Sequence, residues 1–257
     1  MEIFCYSGTG NCLSSAKQLA AALNMTVVHI TDELASSKIS FAGEMGIIIY
    51  PVYAYEMPKT VKRFILNNSF NYKYFAVLTT FGSSPGGAYA EAIRLFRKRK
   101  QRIHYTGGAK SVENFVHMFK LPPEDKIKQL TQTQRELTKS LAEDITTRKT
   151  NKRFKFRPFS KLISMLFRSV TGIFARRYRV TDACTGCEIC LKICPANAIT
   201  MIEKGGKKIP TFLDKKCDHC QSCLQLCPHR AIRFGKVQPE SRRYCHADVK
   251  TGEMIKR

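Results

Sequence analysis

The chain has 257 residues, enough for two domains of ordinary size. No run of 18 or more apolar residues occurs and no basic stretch leads an apolar one at the start, so neither a transmembrane helix nor a secretory leader is expected, and the chain reads as cytoplasmic. A formal charge of +23 calls for an anionic partner such as nucleic acid, anionic lipid or an acidic protein.

Residues 1–148 alternate strand and helix signals. Ile3–Tyr6 is a short apolar strand, and Asn11–Leu23 has helical spacing. Between them lies Tyr6-Ser-Gly-Thr-Gly-Asn-Cys12, a turn of glycines and hydroxyls. Thr26–Ile30, Met45–Tyr50, Tyr74–Thr80 and a weak Arg102–Thr106 complete five strands. Helices are expected over Pro58–Leu66, Gly87–Lys100 and Glu124–Arg148. Continuous apolar runs such as Gly46-Ile-Ile-Ile49 suit strands covered on both faces. The rhythm predicts an α/β fold, a doubly wound five-stranded parallel sheet.

Residues 148–180 contain no Asp or Glu and many Lys and Arg. Apolar residues fall at helical spacing over 159–178, so a basic amphipathic helix is expected after a loose linker. It has three readings: docking the two domains, lying on an anionic membrane surface, or meeting an acidic redox partner. Nothing else in the chain resembles a nucleic-acid-binding module, so nucleic acid is not expected as a partner.

Of the eleven cysteines, eight fall between residues 184 and 227. They form two runs, Cys184-x2-Cys187-x2-Cys190-x3-Cys194-Pro195 and Cys217-x2-Cys220-x2-Cys223-x3-Cys227-Pro228. Such clustering argues for metal, and two quartets each ending in Cys-Pro fit zinc poorly. Residues 181–235 resemble the two-cluster bacterial ferredoxins, whose runs bind [4Fe–4S] clusters, in a small α+β domain. The resemblance implies crossed ligation. One cluster takes Cys184, Cys187, Cys190 and Cys227; the other takes Cys217, Cys220, Cys223 and Cys194. The insertion from Ile202 to Leu213 is expected to form a hairpin, and residues 236–257 a polar tail without a clear pattern.

The first turn has the makings of an anion site. Gly8 and Gly10 bare backbone N–H groups, Ser7, Thr9 and Asn11 add polar side chains, and a helix N-terminus points at them. It is neither a Walker loop nor a dinucleotide fingerprint. Within the parallel sheet it resembles the phosphate loop of flavodoxins over residues 1–148. Two later loops, Pro51-Val-Tyr-Ala-Tyr55 and Thr79 to Gly87, match in position the pair that sandwiches the flavin ring. The resemblance implies FMN held by Ser7, Gly8, Thr9, Gly10, Asn11 and Cys12, with Pro51, Val52, Tyr53, Ala54, Tyr55, Thr80, Phe81, Gly82, Ser83, Gly86, Gly87 and Tyr89 at the ring. Cys5 and Cys12 read as buried small residues.

The whole chain thus resembles the flavodoxin–ferredoxin fusions of anaerobes, which implies an electron carrier. The rival readings are an FMN-dependent oxidoreductase acting on a small substrate and a redox sensor. No residue stands out as a catalytic acid, base or nucleophile. His104 and His117 read as structural, and His219 as spacing between ligands. The basic surround predicts a flavin potential above that of an acidic flavodoxin.

Overall fold

The computed structural model describes residues 1–151, 178–235, 237–238 and 240–255. Among them, residues 1–146 form β1 (Glu2–Cys5), α1 (Asn11–Leu23), β2 (Thr26–His29), α2 (Asp32–Ser36), β3 (Ser40–Pro51), α3 (Lys59–Asn67), β4 (Ser69–Phe81), α4 (Ala88–Lys98), β5 (Tyr105–Lys110) and α5 (Glu124–Thr146). The basic helix expected over 159–178 lies outside the described residues up to its last position. No described helix is long and apolar enough to cross a membrane.

All four strand pairings in the first sheet are parallel, and the order is β2-β1-β3-β4-β5. This is the flavodoxin-like order, with its topological switch between β1 and β3. Side-chain alternation sends successive residues to opposite faces. Ile3, Cys5, Ile47 and Ile49 pack under α1 and α5 with Leu13, Leu19, Leu141 and Ile145. Phe4, Ile48 and Tyr50 pack under α3 and α4 with Val61, Phe64, Leu95 and Phe96. Both faces are therefore covered, which is why these strands read as unbroken apolar runs.

Four elements differ from expectation. The short α2 was not foreseen; Thr31 caps it by accepting from the Leu34 amide at 3.2 Å. Strands β3 and β4 start earlier, because the polar stretches from Ser40 and Ser69 pair with each other before entering the core. Strand β5 falls later than Arg102–Thr106 and includes Gly107 and Gly108. A Cβ at Gly107 would meet Leu141 at 2.5 Å, and one at Gly108 would meet Tyr89 at 2.6 Å, so close packing holds two weak strand formers in place.

The remainder forms β6 (Tyr178–Val180), α6 (Ile189–Ile193), β7 (Ile199–Lys204), β8 (Lys207–Phe212), α7 (Ser222–Gln225) and β9 (Ile232–Phe234). β7 and β8 make the foreseen hairpin, and β6 pairs antiparallel with β9. The two cysteine runs repeat their backbone as well as their spacing. Left-handed residues occur at Gly186, Glu188 and Asn197, and again 33 positions on at His219, Gln221 and Arg230.

The segment after residue 240 is not a loose tail. Tyr244, His246, Val249 and Met254 are buried. Val249 and Met254 join Ile193 and Leu226 in the same apolar cluster as Leu13, Leu19 and Ile47. The Tyr244 hydroxyl donates to Asn11 Oδ1 at 2.7 Å, and the Arg135 guanidinium pairs with Asp248. The C-terminal segment thus straps the cysteine module to the start of α1.

Candidate functional site

The turn after β1 is shaped by what it lacks. Gly10 adopts φ +97°, and its Cβ would run into His246 at 2.9 Å. The Ser7 hydroxyl accepts from the Leu13 amide at 3.3 Å, which fixes the entry to α1. Within the hydrogen-bond pattern of the described residues, the amides of residues 8–12 donate to no protein group. Bare amides at a helix N-terminus are what an anion needs.

A cavity of about 460 Å³ opens from this turn along the carboxyl ends of the strands. Of the residues named from the sequence as cofactor candidates, Ser7, Gly8, Thr9, Asn11, Cys12, Pro51, Val52, Tyr53, Ala54, Tyr55, Thr80, Phe81, Gly82 and Ser83 line it. Four foreseen residues do not. Gly10 packs on the C-terminal segment. Gly86 lies under Tyr55, and Gly87 donates its amide to the Tyr55 carbonyl at 3.0 Å. Tyr89 is partly buried against the core, its hydroxyl 2.8 Å from that of Thr79.

Other lining residues escaped the sequence reading. The loop after β5 contributes Ser111, Val112, Glu113, Asn114 and Phe115, and Asp218, His219, Cys220 and Gln221 come from the second cysteine run. The loop after β5 has no motif, but its place beside the switch-point loops could have been read from the strand order. Nothing in the spacing announces the wall built by the second run.

That wall is close. A Cβ on Gly8 would stand 2.8 Å from the Cys220 carbonyl and 2.7 Å from the Tyr53 hydroxyl. The Ser222 hydroxyl donates to the Gly8 carbonyl. The Tyr53 ring is partly buried, and its hydroxyl is pushed well above its ordinary pKa by desolvation, with Cys220 adding to it.

The eight cysteines gather as two quartets. Cys184, Cys187, Cys190 and Cys227 ring one small cavity made only of residues from the cysteine module. Burial pushes the Cys190 thiol up to about 12, and Cys227, Cys184 and Cys187 are the thiols near enough to add to it. Cys223, raised well above its usual value by burial, feels Cys220, Cys194 and Cys217 most strongly among the thiols. Burial likewise carries Cys220 up to about 12. Desolvated thiols of this kind lose their protons only when a positive metal centre takes their place. Among the described residues no three His, Cys, Asp or Glu side chains converge as a single metal ion requires. Rings of four thiols suit an iron–sulfur cube bound at its corners.

His104 accepts from the Phe75 amide at 3.0 Å and stacks on Tyr74. Its imidazole is held below the usual pKa by burial and by Arg102. His117 packs edge-on against Phe234. Cys5 and Cys12 are both buried, and burial lifts Cys12 to about 12.

Residues 183–248 match the family model of the 4Fe–4S dicluster domain. The match continues past residue 235 into the strap. With the strand order already in hand, this settles the architecture. The chain joins a flavodoxin-like domain to a 4Fe–4S dicluster domain.

Solved structures similar to this fusion chain include a putative flavoprotein from Bacteroides uniformis, 16% identical over 51% of this chain and 96% of that one, with a TM-score of 0.35. A short-chain flavodoxin associated with a bacterial microcompartment is 15% identical over 54% and 96%, at 0.32. A flavone reductase is 11% identical over 86% of both chains, at 0.32. A search of curated proteins found no match.

Proposed function

We propose that the protein transfers electrons between two [4Fe–4S] clusters and an FMN bound in the large cavity. The observation that carries this reading is the shared wall: the glycine-rich turn and Cys220 line the same space. When bound, the clusters supply one-electron chemistry and the flavin supplies both one- and two-electron chemistry, so the pair couples redox partners of the two kinds.

The chain's own residues have definite tasks in this account. Cys184, Cys187, Cys190 and Cys227 hold one cluster, and Cys194, Cys217, Cys220 and Cys223 the other. The bare amides of residues 8–12 and the Thr9 hydroxyl receive the phosphate. Val52, Tyr53, Tyr55 and Phe81 provide apolar surface for the ring, and Tyr53 shields the side facing Cys220.

A second reading, an FMN-dependent oxidoreductase acting on a small substrate, draws support from the cavity's rim. Tyr55 is 39% exposed and Phe119 is 49% exposed, so an apolar molecule could approach the ring from solvent. Anaerobic purification followed by flavin, iron and sulfide assays tests the cofactor content. Roughly one FMN and about eight irons per chain are expected; iron without flavin would remove the flavin from the account.

A further inference from the structure

The two cysteine quartets stand in different surroundings. The one containing Cys184 and Cys227 rings a cavity with no residue of the flavodoxin-like domain in its wall, and Cys187 is exposed. The other presents Cys220 to the large cavity, against Gly8 and Tyr53. Between Cys217 and Cys220 lies Asp218, which is 7% exposed. Its carboxylate accepts three hydrogen bonds from the flavodoxin-like domain: from the Tyr6 hydroxyl at 2.9 Å, the Lys59 amide at 2.9 Å and the Thr60 amide at 3.2 Å. Helix α3 has only Pro58 at its start and no cap of its own, so Asp218 caps it from the other domain. A buried carboxylate with three donors from the opposite domain, two of them backbone amides, is a fixed joint rather than a loose contact.

We infer that the clusters are wired in series, with the Cys194, Cys217, Cys220 and Cys223 set facing the flavin, the Cys184, Cys187, Cys190 and Cys227 set facing the outside partner, and Asp218 as the positioning residue that holds the inner set in place. This rests on the reading that FMN fills the large cavity. With both groups bound, the Cys184, Cys187, Cys190 and Cys227 set would hold the cluster at which each external carrier molecule gives up one electron, and two such electrons passed through the Cys194, Cys217, Cys220 and Cys223 set would take the flavin from its oxidised to its hydroquinone form, with protons from water.

The test uses the full chain loaded with iron and FMN, mixed anaerobically with reduced methyl viologen in a stopped-flow instrument. In the native protein, cluster bleaching should precede flavin bleaching. In Asp218→Ala the cluster phase should keep its rate, while the flavin phase slows about tenfold or more, since small misplacements of reacting partners carry such penalties. Asp218→Asn, which can still accept from one of the amides, should recover part of the rate. Should Asp218→Ala fail to load, Tyr6→Phe removes one of the three donors and should slow the same phase to a lesser extent. A fully loaded Asp218→Ala or Tyr6→Phe protein whose flavin bleaches at the native rate overturns the inference and leaves the flavin reading standing. A native chain that takes up no FMN overturns both.

Discussion

Gly8 carries a close approach between the two domains. Its missing Cβ is what lets the turn after β1 lie against the Cys220 carbonyl and the Tyr53 hydroxyl at once. Gly8→Ala should therefore push the cysteine module off the loop, at a cost of about 1–3 kcal/mol in stability and with weaker flavin retention, read by thermal unfolding and by FMN fluorescence. Glu113 matters for another reason. It is an acidic side chain on the cavity wall beside Gly82, in a protein whose formal charge is otherwise strongly positive. Near charges outweigh distant, screened ones. Glu113→Gln should raise the flavin potential by about 1 kcal/mol of interaction, roughly 20 mV for a two-electron couple, measured by redox titration. An unchanged or lower potential would show that this carboxylate does not face the ring.

At the scale of elements, the strap after residue 240 shows how polar residues can be read wrongly. Residues 236–257 looked patternless because, among the described residues, the buried apolar anchors Val237, Tyr244, Val249 and Met254 follow no regular period. What holds the strap is specific pairing with α1 and α5. The Arg135 guanidinium holds the Asp248 carboxyl below its usual range, with smaller help from Ser14. A carboxylate with a depressed native pKa stabilises the fold above its unfolded value, near 4, and loses that contribution as pH falls through the native value. The strap should therefore become a protease target as pH drops below about 4, and Arg135→Ala should expose it already at neutral pH, seen as cleavage by limited proteolysis. Because both partners are partly exposed, the cost to global stability should stay under about 1 kcal/mol.

The element pattern of the first domain was legible because its strands are covered on both faces and its helices carry apolar stripes, both of which leave periodic traces. The turn after β1 stood out because glycines and hydroxyls between a strand and a helix suit an anion site. The dicluster region was legible because two C-x2-C-x2-C-x3-C-P runs are a specific signature. What stayed hidden was everything that depends on the two domains meeting. Asp218 reads as an ordinary residue between ligands, and the loop after β5 has no distinctive composition.

For the whole molecule, the shared apolar cluster has a thermodynamic consequence. Ile193, Leu226, Val249 and Met254 pack with the core of the first domain, so the two domains should unfold in one cooperative transition, and Leu226→Ala should destabilise both by about 2–4 kcal/mol. Two resolved transitions in calorimetry of the loaded protein would count against a fixed interface. The charge of the whole chain bears on partners, and we propose that an acidic redox protein docks near the outer quartet, where attraction would fall as salt rises. The central claim, however, is electronic connection within one chain. The most direct test is a stepwise anaerobic titration of the loaded full chain with a one-electron reductant, followed by absorbance and EPR. Cluster signals and flavin bleaching should appear in the same titration, with the flavin fully reduced once two electron equivalents beyond those held by the clusters have been added. Clusters that reduce fully while the flavin stays oxidised, and bleaches only with a two-electron reductant acting on it directly, would contradict it.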